Sequence, residues 1–250
     1  MKQRNIQRKI TYLFLSIQSV LYVIFLALEF TGGNNSFSTQ VKYLVILLCF
    51  IYTLLKWDDF VCKRLCIRCA FFFTLVADYF LLLTDNHYFY GILSFTLVQQ
   101  LYGIKLDMQL AHKPAGERLN LINTFLWRVL LQISAAGLIC ILLSKNGITI
   151  ERIVFGSIFY FICIVTNVVR AIMVAKQQPA ESSNLIFAVG MVLFLLCDIN
   201  VGLFNLSQFL TLSLSVERVI FAFSSILMWA FYAPSQVLIA LSLGHYRYNV

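Results

Sequence analysis

Eight long, continuously apolar segments dominate the chain, near residues 10–30, 42–57, 66–84, 88–105, 121–143, 152–175, 184–205 and 218–243. A helix needs about 20 such residues to cross about 30 Å of hydrocarbon. The segments do not alternate apolar with polar residues, as the strands of a lipid-facing barrel must. They predict an all-α fold, a polytopic transmembrane bundle of eight spans. Composition agrees: 60% of the 250 residues are hydrophobic and 12% charged, where a soluble domain carries about 25% charge. This excludes a cytosolic enzyme or a nucleic-acid-binding module, so no nucleic-acid partner is expected. Connections of roughly 5–15 residues suit a compact bundle, and the whole of 1–250 is expected to form one transmembrane domain.

The basic residues orient the spans. With the N-terminus inside, fourteen Lys and Arg fall on the inner side: Lys2, Arg4, Arg8, Lys9, Lys56, Lys63, Arg64, Arg68, Lys105, Lys113, Arg118, Arg170, Lys176 and Arg247. Four, Lys42, Lys145, Arg152 and Arg218, fall outside, and Arg128 stays within a span. Cytoplasmic loops carry such an excess, which places both termini in the cytoplasm. The short loops favour a bacterial cytoplasmic membrane over the endoplasmic reticulum.

Two sequence features invite a metal. Cys62, Cys66 and Cys69 have the C-x3-C-x2-C spacing of cluster-binding enzymes, but they open a membrane helix among Lys63, Arg64 and Arg68. Without a βα repeat to enclose a cluster, they read as small thiols at a helix end. The three histidines, His87, His112 and His245, lie at helix ends or loops, and no pair is spaced to share a helical face as zinc ligands do. Neither a metal nor a cofactor is expected.

Ionisable residues inside the hydrocarbon are the stronger signal, because each costs at least about 2.5 kcal/mol there. Asp78 in the third span and Asp198 in the seventh both lie on helices that run outward. Each sits about 10 Å below the outer face at 1.5 Å per residue. Matched depth on two helices is what a shared site requires. Two carboxylates in one apolar cavity cannot both carry charge cheaply, which divides them into a proton donor and a proton acceptor. Each could instead only fix packing by bonding a neighbouring helix. Gln99, Gln100 and Tyr102 in the fourth span, Gln132 in the fifth, Asn167 in the sixth and Tyr232 and Gln236 in the eighth are further polar candidates for the cavity lining. Arg128 must pair or snorkel. Lying about 7 residues from the inner end, it is expected to reach the cytoplasmic headgroups, with an aspartate or a lipid phosphate as its other possible partners.

These residues fall into motifs. Ala77-Asp78-Tyr79-Phe80-Leu81-Leu82 is similar to a Gly-Asp-x-x-Leu motif, and Phe89-Tyr90-Gly91, Phe95 and Tyr102 follow in order. The segment Gly190 to Asp198 is similar to G-x-x-x-F-x-x-S-D, and Tyr232 to Ala240 to Y-x-x-x-Q-x-L-I-A. Together they resemble the YhhN-type lysoplasmalogenase family of eight-span membrane proteins, over nearly the whole chain. The resemblance implies hydrolysis of the vinyl-ether bond of lysoplasmalogens, with a lysophospholipid substrate and membrane lipids as partners. It implies Asp78 and Asp198 as the catalytic pair and Gln99, Tyr102, Tyr232, Gln236 and Arg128 near the substrate. Three positions depart from the family pattern: Gln99 replaces a histidine, Ala77 a glycine and Cys197 a serine. Glutamine cannot relay a proton near neutrality; His87, in the outer loop, could compensate for it.

Two other readings fit the same residues. One is a non-catalytic protein that binds or moves lipid, keeping the cavity without the reaction. The other is a small proton-coupled transporter, for which helices broken at matched places would be expected; Pro234 interrupts only the last span.

Overall fold

The computed structural model describes residues 2–31, 35–56, 62–84, 87–110, 121–205 and 214–244. Eight long helices follow one another: α1 (Lys2–Thr31), α2 (Asn35–Leu55), α3 (Cys62–Asp78), α4 (Tyr88–Leu110), α5 (Leu121–Lys145), α6 (Arg152–Gln177), α7 (Ser182–Phe204) and α8 (Leu214–Leu241). A π-helical turn, Tyr79–Leu83, prolongs α3, and a 3-10 turn, Ser242–Gly244, ends α8. Among the described residues there is no strand. Seven of the helices are long and apolar enough to cross a membrane, and the chain is an integral membrane protein of the helical-bundle class.

The exception is α4, and its place in the bundle explains why. It packs against α3, α5 and α6, so Gln99, Lys105, Asp107 and Gln109 on it are buried by protein and need no hydrophobic contact with lipid. At 23 residues it is about 34 Å long, enough to span. The sequence had suggested an end near residue 105, where polar residues begin. The helix instead continues to Leu110, because those residues find partners inside. Lys105 lies over the Phe187 ring, 3.4 Å from its centroid, and bonds Gln109 Oε1 at 3.3 Å. Gln109 Nε2 then donates to Asn184 Oδ1 at 2.7 Å.

A hydrophobic core runs through α2, α3, α4, α6, α7 and α8. Helix α1 joins it through Phe14 and packs on α2 and α8, whereas α5 lies outside it on α4 and α6. The closest packing joins α7 and α8. A Cβ on Gly190 would come within 2.8 Å of Ile239 Cγ1, 3.1 Å of Ser235 O and 3.2 Å of Ile239 N. Two of those atoms are backbone, so only a glycine lets the helices meet there. Gly190→Ala is expected to cost about 1–3 kcal/mol through overpacking, read as a lower unfolding temperature in detergent. An unchanged midpoint would contradict that close approach.

Helix α8 contains Pro234, which cannot donate to the carbonyl four residues back. That carbonyl belongs to Ala230, and Tyr22 Oη of α1 donates to it at 3.0 Å. The break is thereby repaired from a neighbouring helix, as membrane helices require.

Several basic residues assigned to the inner side are buried instead of facing solvent. Arg68 donates to Thr53 O at 3.1 Å and Lys56 O at 2.9 Å, and so caps the carbonyl end of α2. Lys113, Arg118, Arg247, His112 and His245 lie outside the described residues. Helix α2 begins seven residues before the expected 42, and its first turns are tied to α1: Ser38 Oγ donates to Glu29 at 2.7 Å and Lys42 pairs with the same carboxylate at 2.7 Å.

Candidate functional site

Asp78 ends α3 at the point where the helix widens into its π turn, and it is only 3% exposed. Its Oδ2 accepts a hydrogen bond from Tyr232 Oη of α8 at 2.8 Å. Asp198 of α7, partly buried, is held in the same way: Tyr160 Oη of α6 donates to its Oδ2 at 2.7 Å. Each carboxylate therefore has a tyrosine from a different helix. These hydrogen bonds fix where each carboxyl group points.

The two Asp–Tyr pairs both reach the Phe95 ring. Phe95 of α4 lies 6.0 Å from the Tyr160 ring and 6.3 Å from the Tyr232 ring. Phe194, one helical turn before Asp198, lies 5.8 Å from Phe95 and 5.7 Å from Tyr232. Most of these contacts are tilted or edge-on, the geometry aromatic rings prefer. Cys197 sits within electrostatic reach of both carboxylates. Phe95, Phe194, Asp78, Asp198 and Tyr232 all belong to the sequence motifs, and here they are linked through these ring contacts and hydrogen bonds.

Gln99 completes the Asp198 side. It is fully buried, and its Oε1 accepts from Asn167 Nδ2 at 3.0 Å while the same nitrogen reaches Gln99 O at 2.7 Å. That leaves the amide nitrogen facing the Tyr160 hydroxyl, though not in full hydrogen-bond geometry with any group. Glutamine thus stands one residue removed from Asp198, behind Tyr160.

The other expected residues are placed elsewhere. Tyr102 is fully buried against the Phe187 ring, 5.5 Å away, with its hydroxyl unpartnered, and it bonds neither aspartate. Gln236 is fully buried one turn beyond Tyr232, with a long 3.4 Å contact to Ser235 Oγ. His87 stacks near Phe80 and Tyr90, 6.1 and 5.9 Å away, and is exposed. Cys62, Cys66 and Cys69 are free thiols along one side of α3. Among the described residues no group of three or more His, Cys, Asp or Glu is placed to hold a metal.

Arg128 corrects an expectation. It does not snorkel to the headgroups but turns inward at 8% exposure. Its Nε pairs with Asp107 Oδ2 at 3.3 Å and its Nη1 donates to Gln100 Oε1 at 2.8 Å. Arg170 of α6 pairs with the other oxygen of Asp107. Gly103 makes room for this: a Cβ there would fall 2.2 Å from Arg128 Nη1. The missing side chain lets the guanidinium lie across α4 instead of reaching along α5. Arg128 therefore belongs to a second polar cluster, on Asp107, and not to the aspartate pair.

Sequence reasoning missed Tyr160, Asp107 and Arg170. Tyr160 had a usable signal, since it lies seven residues before Asn167 and so shares its helical face. Arg170 was placed on the inner side and Asp107 lies beyond the expected end of the fourth span, where their pairing is not visible.

Fold and site define a polytopic helical membrane protein that buries two tyrosine-bound aspartates from separate helices at one aromatic cluster. The model of the YhhN family matches residues 37–243, more than four-fifths of the chain, and includes every residue of that cluster. The chain belongs to the YhhN family. No curated protein and no solved structure matches it.

Proposed function

We propose that this protein hydrolyses the vinyl-ether bond of lysoplasmalogens within the membrane. The observation that supports the reading is the contact of Phe95 with both Tyr160 and Tyr232, which donate to Asp198 on α7 and Asp78 on α3.

The reaction needs little more than those groups. One aspartic acid protonates the alkenyl carbon distal to the ether oxygen; the π electron pair forms the new carbon–hydrogen bond, and an oxygen lone pair fills the vacancy left on the proximal carbon, giving an oxocarbenium ion. The second carboxylate faces that positive charge and takes a proton from the water that adds to it. The hemiacetal so formed breaks its carbon–oxygen bond. It releases a fatty aldehyde and a glycerophospho-alcohol, and the protons return to their starting positions. Tyr160 and Tyr232 orient the two carboxylates throughout, and Asn167 fixes Gln99 behind Tyr160. Neither a metal nor a covalent intermediate is required by this sequence of steps.

Gln99 favours a second reading, a lipid-binding protein without turnover, because its amide cannot relay the proton that a histidine could. Aldehyde release separates the two. Reconstituted protein is expected to release aldehyde from a lysoplasmalogen and none from the saturated ether analogue, which lacks the carbon that must be protonated. Retained binding of the lysoplasmalogen with no aldehyde formed would favour the second reading.

A further inference from the structure

A groove of about 660 Å³ lies between α5 and α6, away from the aspartate pair, with Asp107 of α4 in its lining. Its polar part is built from Arg128, Arg170, Asp107 and Gln132. Two guanidiniums face one carboxylate, so these groups carry one net positive charge. The donors outnumber the acceptors in the same sense. Arg128 Nη2, Arg170 Nη1 and Gln132 Nε2 are buried N–H groups without a partner, and Arg128 and Gln132 are more than nine-tenths buried. Buried donors are costly to leave unpaired.

The rest of the groove is apolar. Trp127 and Leu131 line it and are well exposed on the outer side of α5, a helix that contacts only α4 and α6 extensively. A positively charged, donor-rich end joined to an apolar wall on a bilayer-facing helix fits one kind of molecule. We propose that the groove is a binding site for an anionic amphiphile, with the phosphate of a lipid headgroup against Arg128, Arg170 and Gln132 and its chain along Leu131. Planar guanidiniums suit phosphate oxygens, and Asp107 holds both of them in place while neutralising only one.

The site is separate from the aspartate pair. It lies in the first half of α5 and the last half of α6, whereas Asp78 and Asp198 lie toward the ends of α3 and α7. In helices that alternate in direction these are opposite halves of the bundle. The inference concerns binding and does not rest on ether hydrolysis.

The test uses the full chain in neutral-detergent micelles, titrated with palmitoyl lysophosphatidic acid, with monopalmitoylglycerol and with inorganic phosphate. Lysophosphatidic acid is expected to bind at least about tenfold more tightly than the phosphate-free lipid. Arg170→Gln, which leaves the Arg128–Asp107 pair, is expected to reduce that preference about tenfold. Gln132→Leu removes a donor without exposing a charge, keeps the helix folded and is expected to act in the same direction. Lys42→Gln takes a cation from the opposite end and is expected to leave the preference unchanged. Equal affinity for the two lipids would overturn the proposal, as would an equal loss in Lys42→Gln. Inorganic phosphate binding as tightly as lysophosphatidic acid would overturn the amphiphile in favour of a bare anion.

Discussion

Asp78→Asn and Asp198→Asn are each expected to slow aldehyde release from lysoplasmalogen by about 10²–10⁴-fold, the usual contribution of a positioned proton-transferring group. Asparagine keeps the size of aspartate and can still accept the tyrosine hydrogen bond through its Oδ1. The fold should therefore survive, and the loss should fall on the chemistry. Tyr160→Phe and Tyr232→Phe remove one hydrogen bond to each carboxylate and are expected to cost less, about ten- to a hundredfold. Undiminished release by either asparagine variant would remove that aspartate from the reaction, whatever the fate of the other.

The second large effect is on stability. Asp107 is 2% exposed and is the shared partner of Arg128 and Arg170. Asp107→Ala would leave two guanidiniums facing each other, away from water, with no opposing charge described between them. Breaking a buried ion pair from one side typically costs about 3–5 kcal/mol. The variant is expected to unfold at a clearly lower temperature in detergent. A change below about 1 kcal/mol would place Asp107 with solvent-screened surface pairs and contradict its burial.

The spans were legible because membrane helices announce themselves by length: a run of about 20 apolar residues has few other uses. Seven of the eight helices satisfy that rule. Helix α4 shows where the rule stops working. Its polar inner turns look like a loop in sequence because their partners, Phe187 and Asn184, come from α7, at distances along the chain that no local pattern encodes. Arg128 failed for a related reason. It does lie seven residues into α5, but its direction depended on the gap that Gly103 opens on a different helix.

The aspartates were legible for an energetic reason, since an acid in hydrocarbon is expensive enough to need a purpose. Their tyrosines were less so. Tyr232 stood in a motif, but Tyr160 lies between two phenylalanines in an apolar helix and resembles any other packing ring. Only its spacing from Asn167 marked it. Tyr102 and Gln236, singled out as polar residues within their spans and again by the motifs, are buried without bonding either carboxylate.

Whether the two aspartates serve a single reaction is tested most directly by a double-mutant comparison of aldehyde release. Residues that act as a unit are grossly non-additive. If Asp78 and Asp198 work on the same bound substrate, the Asp78→Asn, Asp198→Asn double variant should be scarcely slower than the slower single variant. Losses that multiply across the pair would mean that the carboxylates act independently, and the shared-enclosure account would fall.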